Sequence, residues 1–358
     1  MNRLQLLDYG RFFAAFWVIL FHYTYNGILN GKITSVTETD AITAITKYGY
    51  LGVEFFFMIS GYVIFFSSRN RASHQFLSSR ATRLFPAYWI SVIITTVFTL
   101  TISNNLPEIT YKQVLINLTM LSSLFNTSFV DGVYWTLTYE LIFYTSVFLA
   151  LLLGLSKYLK LIFQTWPFFM LFAIYCQKDW LPLAGGYYSF FAAGAAFAII
   201  KEDKSKLSYI SLAITLLLCL NFSVNQAIQI NSTKGSDYSL WIIGIIIIIF
   251  FLYFLIQNTQ RVASIKLPKA SLLGSLTYPI YLIHAHVGYI LINHFANDEN
   301  KVFIYPLIIL LVGFIAYLIH SLVEKKMANF WKRFFTKHIG RPIAIIEKRV
   351  LNRNEFKG

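Results

Sequence analysis

Long apolar blocks without charge constrain this chain more than any other feature. The stretch WIIGIIIIIFFLYFLI, residues 241–256, contains no charged side chain. Several such blocks reach the roughly 18–20 residues that a helix needs to cross a hydrocarbon core of about 30 Å. Charged residues make up only 13% of the chain, whereas soluble proteins carry about 25%. The sequence therefore predicts an all-α polytopic membrane protein rather than a soluble one.

The apolar blocks divide the chain into about ten transmembrane helices. Their predicted ranges are 10–29, 48–67, 85–103, 134–155, 158–176, 181–200, 207–224, 238–257, 272–296 and 302–323. An even number of spans puts both termini on one side. If that side is cytoplasmic, 23 of the 30 Lys and Arg residues fall in cytoplasmic segments and six fall outside. This is the asymmetry that the positive-inside rule describes, so we expect both termini to be cytoplasmic.

The net charge of +14 therefore reflects cytoplasmic loops, and we expect no nucleic-acid partner. A membrane domain is predicted over residues 1–325 and a basic cytoplasmic tail over 326–358. We expect the tail to lie as an amphipathic segment on anionic lipid.

In the outer loop 104–133, the semi-apolar stretch 111–125 is predicted either to lie on the interface or to re-enter the membrane.

Ionisable groups at membrane depth are costly, so they mark candidate functional sites. Arg11 and His22 are eleven residues apart, which puts them on one helix face and about 16 Å apart along the axis. His22, Glu54 and Glu140 each fall about 9–10 Å below the outer end of a different span. If these helices are neighbours, the three side chains form one layer. A paired structural role is the alternative for any one of them.

Two further groups of residues are candidates. His284 and His286 stand two apart on the ninth span and point in different directions, so no metal site is expected; one would face a cavity and the other would pack. Arg80 and Arg83 are one turn apart just before the third span. They would bind phosphate groups with the help of the helix N-terminus, or they would only anchor the helix on the cytoplasmic side.

Five motifs, in order along these spans, resemble those of the acyltransferase-3 family of integral-membrane acyltransferases. They are LLDYGRFFAAFWVILFHY with Arg11 and His22, GYLGVEFFFMISGYVI with Glu54 and Ser60, RATRLFPAYW with Arg80 and Arg83, WTLTYE with Glu140, and LGSLTYPIYLIH with Tyr278 and His284. Members often have Asp where Glu54 stands. Glu324 sits where members carry an acid after the last span. The resemblance covers about residues 4–325.

The resemblance implies transfer of an acyl group, usually acetyl, from cytosolic acyl-CoA to a hydroxyl of a carbohydrate or lipid-linked acceptor. It implies that His22 is catalytic, and histidine can serve as a base or a nucleophile near neutral pH. Glu54 or Glu140 would orient it. Arg80 and Arg83 would hold the phosphates of the donor.

Other implied features complete the expectation. Arg11 would guard the donor end, while Ser60, Tyr278 and His284 are further pocket candidates. We expect no metal, no fused extracytoplasmic domain, and a place in the inner membrane of a bacterium, in contact with membrane lipid. A transporter of a small polar or anionic solute and a non-catalytic membrane scaffold are the alternatives.

Overall fold

The computed structural model describes residues 4–102, 109–263 and 265–355. Within these ranges all regular secondary structure is helical and no residue lies in a β-strand. Nine of the described helices are long and apolar enough to cross a membrane, and a further apolar helix is shorter. The chain is therefore an all-α multi-pass membrane protein, as the sequence predicts. The start of the predicted membrane domain, part of the outer loop and the end of the tail lie outside the described residues.

These ten apolar helices follow one another along the chain, and each overlaps one predicted span. We number them α1 (Gln5–Leu29), α2 (Asp40–Ser68), α3 (Ser73–Ile102), α4 (Gly132–Leu152), α5 (Leu155–Tyr175), α6 (Tyr188–Ile200), α7 (Lys206–Lys234), α8 (Leu240–Gln257), α9 (Ala270–Phe295) and α10 (Lys301–Lys325). In lipid, an apolar segment must satisfy its own backbone groups, and a helix does so. A short helix, Tyr111–Asn117, lies in the predicted semi-apolar stretch, with Tyr111 and Leu115 exposed.

The short helix α6 is buried along its whole length. All 13 of its residues are buried, and alanine and glycine are frequent among them. Gly194 lies against the backbone of α2 at Met58, and Gly61 of α2 lies against the backbone of α6 at Phe191. Because any larger side chain would clash there, the two glycines allow α2 and α6 to cross closely. This crossing fixes α2, which carries two of the candidate site residues.

Ion pairs between loops show that the chain alternates between two ends of the bundle. At one end Arg69, after α2, pairs with Glu202, after α6. At the other end Lys47, near the start of α2, pairs with Asp237, before α8, at 2.7 Å. The loop after α2 thus meets the loop after α6 at one end of the bundle. This is expected if successive helices cross the bundle in opposite directions. We call the end that carries Arg69 the basic end.

The basic tail packs against α3. It forms two helices, α11 (Ala328–Phe335) and α12 (Arg341–Glu355). Phe335 is buried against the ring of Phe85. The carboxylate of Glu347 accepts a hydrogen bond from the backbone N–H of Ser73 at 2.8 Å and lies 2.6 Å from Nδ1 of His74. It therefore occupies the positive N-terminal end of α3. That the tail also contacts anionic lipid stays a prediction.

Helix α3 begins about a dozen residues earlier than the sequence predicts. The predicted span started at residue 85, with Arg80 and Arg83 at a solvated helix start. In the structure the helix begins at Ser73, so both arginines lie roughly two to three turns inside it. The prediction that this helix N-terminus helps them to bind phosphate is wrong, because the N-terminus binds Glu347 instead.

Candidate active site

Three arginines line the larger of two adjacent cavities in the bundle. This cavity has a volume of about 400 Å³, and we call it the arginine cavity. Arg11 of α1 faces Arg80 and Arg83 of α3 across it. Side chains of α2, α4 and α9 complete the walls, among them Ser60, Glu140 and Tyr278. The sequence candidates for donor binding thus lie around one space.

Aromatic rings and one carboxylate hold two of these arginines in place. The Arg80 guanidinium lies 5.9 Å from the ring centre of Tyr144, and its Nε is buried with no hydrogen-bond partner among the described residues. Arg83 lies over the ring of Tyr278 and 3.5 Å from the carboxylate of Glu324. A guanidinium stays charged and presents several donors in one plane. The arginine cavity therefore suits an anionic ligand such as a phosphate.

Glu140 faces the arginine cavity. Its Oε1 accepts a hydrogen bond from the Ser60 hydroxyl at 3.1 Å and another from Tyr144. Ser60 lies six residues, or about 9 Å, beyond Glu54 along α2. Glu140 is therefore closer to the basic end than Glu54 is. The predicted single layer of His22, Glu54 and Glu140 is wrong for Glu140.

His22 lines the smaller cavity, which has a volume of about 210 Å³ and which we call the histidine cavity. It is the first residue of a π-helical turn, His22–Asn26, within α1; such turns are frequent at functional sites. Its Nδ1 lies 2.5 Å from the Tyr289 hydroxyl and 3.2 Å from the Asn26 amide nitrogen. No carboxylate among the described residues bonds to His22. A tyrosine and an amide therefore take the orienting place expected for an acid.

Glu54 lines the histidine cavity together with His22. It is 0% exposed, and neither of its carboxylate oxygens has a hydrogen-bond partner among the described residues. Burying an ionisable group without partners is unfavourable. A group of this kind in a cavity wall marks a place where a ligand can donate hydrogen bonds.

His284 and His286 of α9 have different surroundings. His284 lies behind His22, with ring centres 5.0 Å apart, and its Nδ1 donates to the carbonyl oxygen of Tyr281 at 2.8 Å. His286 lies 3.1 Å from a carboxylate oxygen of Asp131, at the start of α4. Burial alone would raise the pKa of Asp131, but the charge of His286 and hydrogen bonds from it lower that pKa to about 2. Asp131 therefore stays ionised and ties α4 to α9.

The arginine and histidine cavities share a wall. Val53 of α2 and Tyr281 of α9 line both of them. The Tyr281 hydroxyl lies 2.8 Å from the hydroxyl of Thr136, and its ring packs edge-on against Phe56 with centres 5.8 Å apart. The partition between the cavities therefore includes the side chains of Val53 and Tyr281. A group that extends from the arginines past this wall reaches the cavity of His22.

Comparison with protein families identifies the kind of protein that carries this pair of cavities. The family described as "Acyltransferase domain", acyltransferase-3, matches residues 4–325. The chain belongs to the acyltransferase-3 family. It is a membrane acyltransferase enzyme rather than the transporter or scaffold considered above. Comparisons with curated proteins and with solved structures gave no match.

The predicted site residues of this acyltransferase divide between the two cavities, except for His284, which lines neither of them; nor does His286, so the prediction that one of these two faces a cavity is wrong for both cavities. The arginine cavity receives Arg11, Ser60, Arg80, Arg83, Glu140 and Tyr278, and the histidine cavity receives His22 and Glu54. Sequence reasoning missed the residues that hold His22 and the wall. Asn26 stands one turn after His22, so its contact follows from helical spacing. Tyr281 lies in the motif LGSLTYPIYLIH but was not singled out as a candidate, and Tyr289 gave no signal because tyrosine is common throughout this chain.

Proposed function

We propose that this acyltransferase moves an acyl group, most simply acetyl, from cytosolic acyl-CoA to a hydroxyl of a carbohydrate acceptor, such as a cell-surface or lipid-linked glycan. One observation carries the proposal. A cavity with three arginines and a cavity with a positioned histidine share the wall formed by Val53 and Tyr281. An anionic carrier held on one side can therefore present its acyl end to a base on the other.

The arginine cavity supports the donor half of the proposal. Coenzyme A carries phosphate groups, and arginine binds phosphate with paired, charge-assisted hydrogen bonds. Arg80 has a buried Nε without a partner among the described residues, so it has capacity for such a bond. The excess of Lys and Arg on one set of loops favours a cytosolic basic end. We place the enzyme in the inner membrane of a bacterium on the resemblance of its motifs.

The chemistry requires one base and one leaving group. In the tautomer that carries the proton on Nδ1, this N–H donates to the Tyr289 oxygen, to which the Asn26 amide also donates, and Nε2 is free to accept the proton of the acceptor hydroxyl. The hydroxyl oxygen then bonds to the thioester carbonyl carbon, and the bond from that carbon to sulfur breaks. His22 returns its proton to the sulfur, which leaves as the free thiol of coenzyme A. In a two-step variant, the histidine nitrogen itself holds the acyl group before the acceptor attacks.

Purified protein in lipid nanodiscs, given acetyl-CoA with a radiolabelled acetyl group, tests the proposal. We expect free coenzyme A to appear together with label on a glycan extract of the source cells. Label trapped on His22 without acceptor supports the two-step route, and its absence during full turnover supports direct transfer. Acetyl-CoA that neither binds nor loses its label would overturn the proposal. Comparison of surface-glycan acetyl content with and without the gene then identifies the acceptor.

A further inference from the structure

Polar atoms without partners converge on the histidine cavity from two helices. Tyr50 and Glu54 belong to α2, and Gln226 belongs to α7. The Tyr50 hydroxyl, both Glu54 oxygens and Oε1 of Gln226 are buried, and no described residue bonds to any of them. All three residues line the cavity. A ligand that fits this lining carries hydrogen-bond donors, because the amide oxygen of Gln226 and the carbonyl oxygen of the Glu54 carboxyl group accept.

Aromatic rings fix the position of these polar groups. Gln226 donates its amide N–H to the Tyr187 hydroxyl at 2.5 Å, and the Tyr187 ring packs against Trp135 with centres 5.0 Å apart. The Tyr50 ring packs edge-on against Tyr238, with centres 5.4 Å apart. All five residues line the histidine cavity. Its walls thus combine flat apolar surfaces with a few fixed polar atoms, which suits a ring that has both apolar faces and hydroxyl edges.

The lining of the histidine cavity offers little to pair with an anionic group. Arginine is absent from the described residues that line the histidine cavity, and Glu54 contributes a carboxylate. Lys234, at its edge, is exposed and donates to Oδ1 of Asn30 at 2.9 Å. A phosphate or a uronic-acid carboxylate placed here would find no arginine to pair with, and burying a charge without a partner is costly. The arginine cavity therefore suits an anionic donor, whereas the histidine cavity suits an uncharged acceptor.

We propose that the histidine cavity binds one uncharged, polyhydroxylated ring of the acceptor, and that Gln226 and Tyr50 are specificity-determining residues for the transfer. Two hydroxyls of the ring donate to Glu54 and Gln226, and a third interacts with Tyr50. This leaves one hydroxyl for His22, so Gln226 and Tyr50 set which hydroxyl is acylated. The inference rests on the proposed function, because it assigns the acceptor of that reaction.

The test uses full-length protein in nanodiscs with radiolabelled acetyl-CoA and three sets of small acceptors. The probes are methyl glycosides of neutral hexoses, the corresponding uronic acids, and hexose phosphates. We expect neutral glycosides to accept label, or to compete with the glycan extract, at least about ten times better than the charged sugars. Gln226→Leu and Tyr50→Phe should each raise the KM for the glycoside about tenfold, as loss of one buried hydrogen bond does. The KM for acetyl-CoA should remain that of the wild type.

Asn225→Leu is the matched control, because Asn225 is the exposed neighbour of Gln226 on α7. If it raises the acceptor KM as much as Gln226→Leu does, the assignment of Gln226 is overturned. If the glycan extract is acylated while neutral glycosides neither accept label nor compete, the inference fails and the proposed function stands. If neither the extract nor any glycoside is acylated, the proposed function itself fails, and this inference falls with it.

Discussion

The two cavities of this acyltransferase use opposite chemistries within one bundle. The arginine cavity gathers Arg11, Arg80 and Arg83 around a single lining carboxylate, that of Glu140. The histidine cavity is walled by aromatic rings and holds Glu54 without a partner among the described residues. The first suits a charged carrier and the second an uncharged acceptor. On the proposed function, donor and acceptor would meet at the wall that the two cavities share.

Four helices, α1, α2, α4 and α9, line both cavities, which explains why the motifs have their spacing. Helix α1 carries Arg11 for one cavity and His22 for the other. Helix α9 gives Tyr278 to the arginine cavity and Tyr281 to the shared wall. Likewise α2 contributes polar residues six positions apart, about 9 Å along its axis. A helix that connects two sites must carry polar groups at two depths, and this is the reason for ionisable residues in such apolar segments.

Removal of the histidine base should have the largest effect and would separate the two cavities functionally. His22→Gln should reduce the transfer rate by about 10²–10⁴-fold, while the Kd for acetyl-CoA stays unchanged because the arginine cavity is intact. Rate is measured as labelled glycan and Kd by calorimetry on the same sample. His294→Gln, at an exposed histidine on α9, should be neutral. Retention of more than about a tenth of the rate by His22→Gln would make His22 structural.

Loss of Arg80 should affect the other cavity. Arg80→Ala should raise the Kd for acetyl-CoA about 10- to 100-fold, because a charge-assisted hydrogen bond is lost. Arg83→Ala should have a smaller effect, since Arg83 is partly exposed and already lies near Glu324. Arg71→Ala, at an exposed arginine of the basic end, controls for nonspecific charge. Equal effects of Arg80→Ala and Arg71→Ala would show that binding depends only on overall charge.

Hydropathy could predict the helices but could not predict the contacts between them. Each apolar block became a helix, because only that structure satisfies an isolated backbone in lipid. The early start of α3 at Ser73 was missed because residues 73–84 are mainly polar and are stabilised by the tail. The predicted depth of Glu140 is wrong because residue counting along α4 gives the position of Glu140 within that helix only. It does not give the position of α4 along its axis relative to α2. Tyr289 is distant in sequence from His22, so only the fold reveals their contact.

Loss of the Tyr289 hydroxyl should have an intermediate effect on activity, through the histidine cavity alone. Tyr289→Phe removes the hydrogen bond to Nδ1 of His22 and leaves the ring in place. We expect kcat to fall about tenfold, as loss of one hydrogen bond implies, with unchanged KM for donor and acceptor. Tyr317→Phe, at an exposed tyrosine of α10, is the control. A rise in either KM with kcat preserved would mean that Tyr289 contacts a substrate instead of positioning the base.

The smallest effect is expected at the tail, which supports the arginine cavity from the basic end. Burial alone would raise the pKa of Glu347, but hydrogen bonds from the His74 ring and from backbone N–H groups of Ser73 and His74 hold it below the usual 4.5. Folding therefore depresses this pKa. The resulting stability is fully present above about pH 4.5 and is lost as the pH falls through the lower, folded-state pKa.

Glu347→Gln keeps the shape of the side chain but removes its charge from the N-terminus of α3. It should lower the Tm of the detergent-solubilised protein by about 1–3 °C near pH 7. The difference from wild type should shrink as the pH falls through the lowered, folded-state pKa of Glu347, because the wild-type carboxylate then becomes protonated as well. Glu299→Gln, at an exposed glutamate of the opposite end, should show no such trend. A Tm difference that does not change with pH would mean that Glu347 stabilises the protein through packing. The charge of Glu347 would then not contribute to holding α3, the helix that carries Arg80 and Arg83.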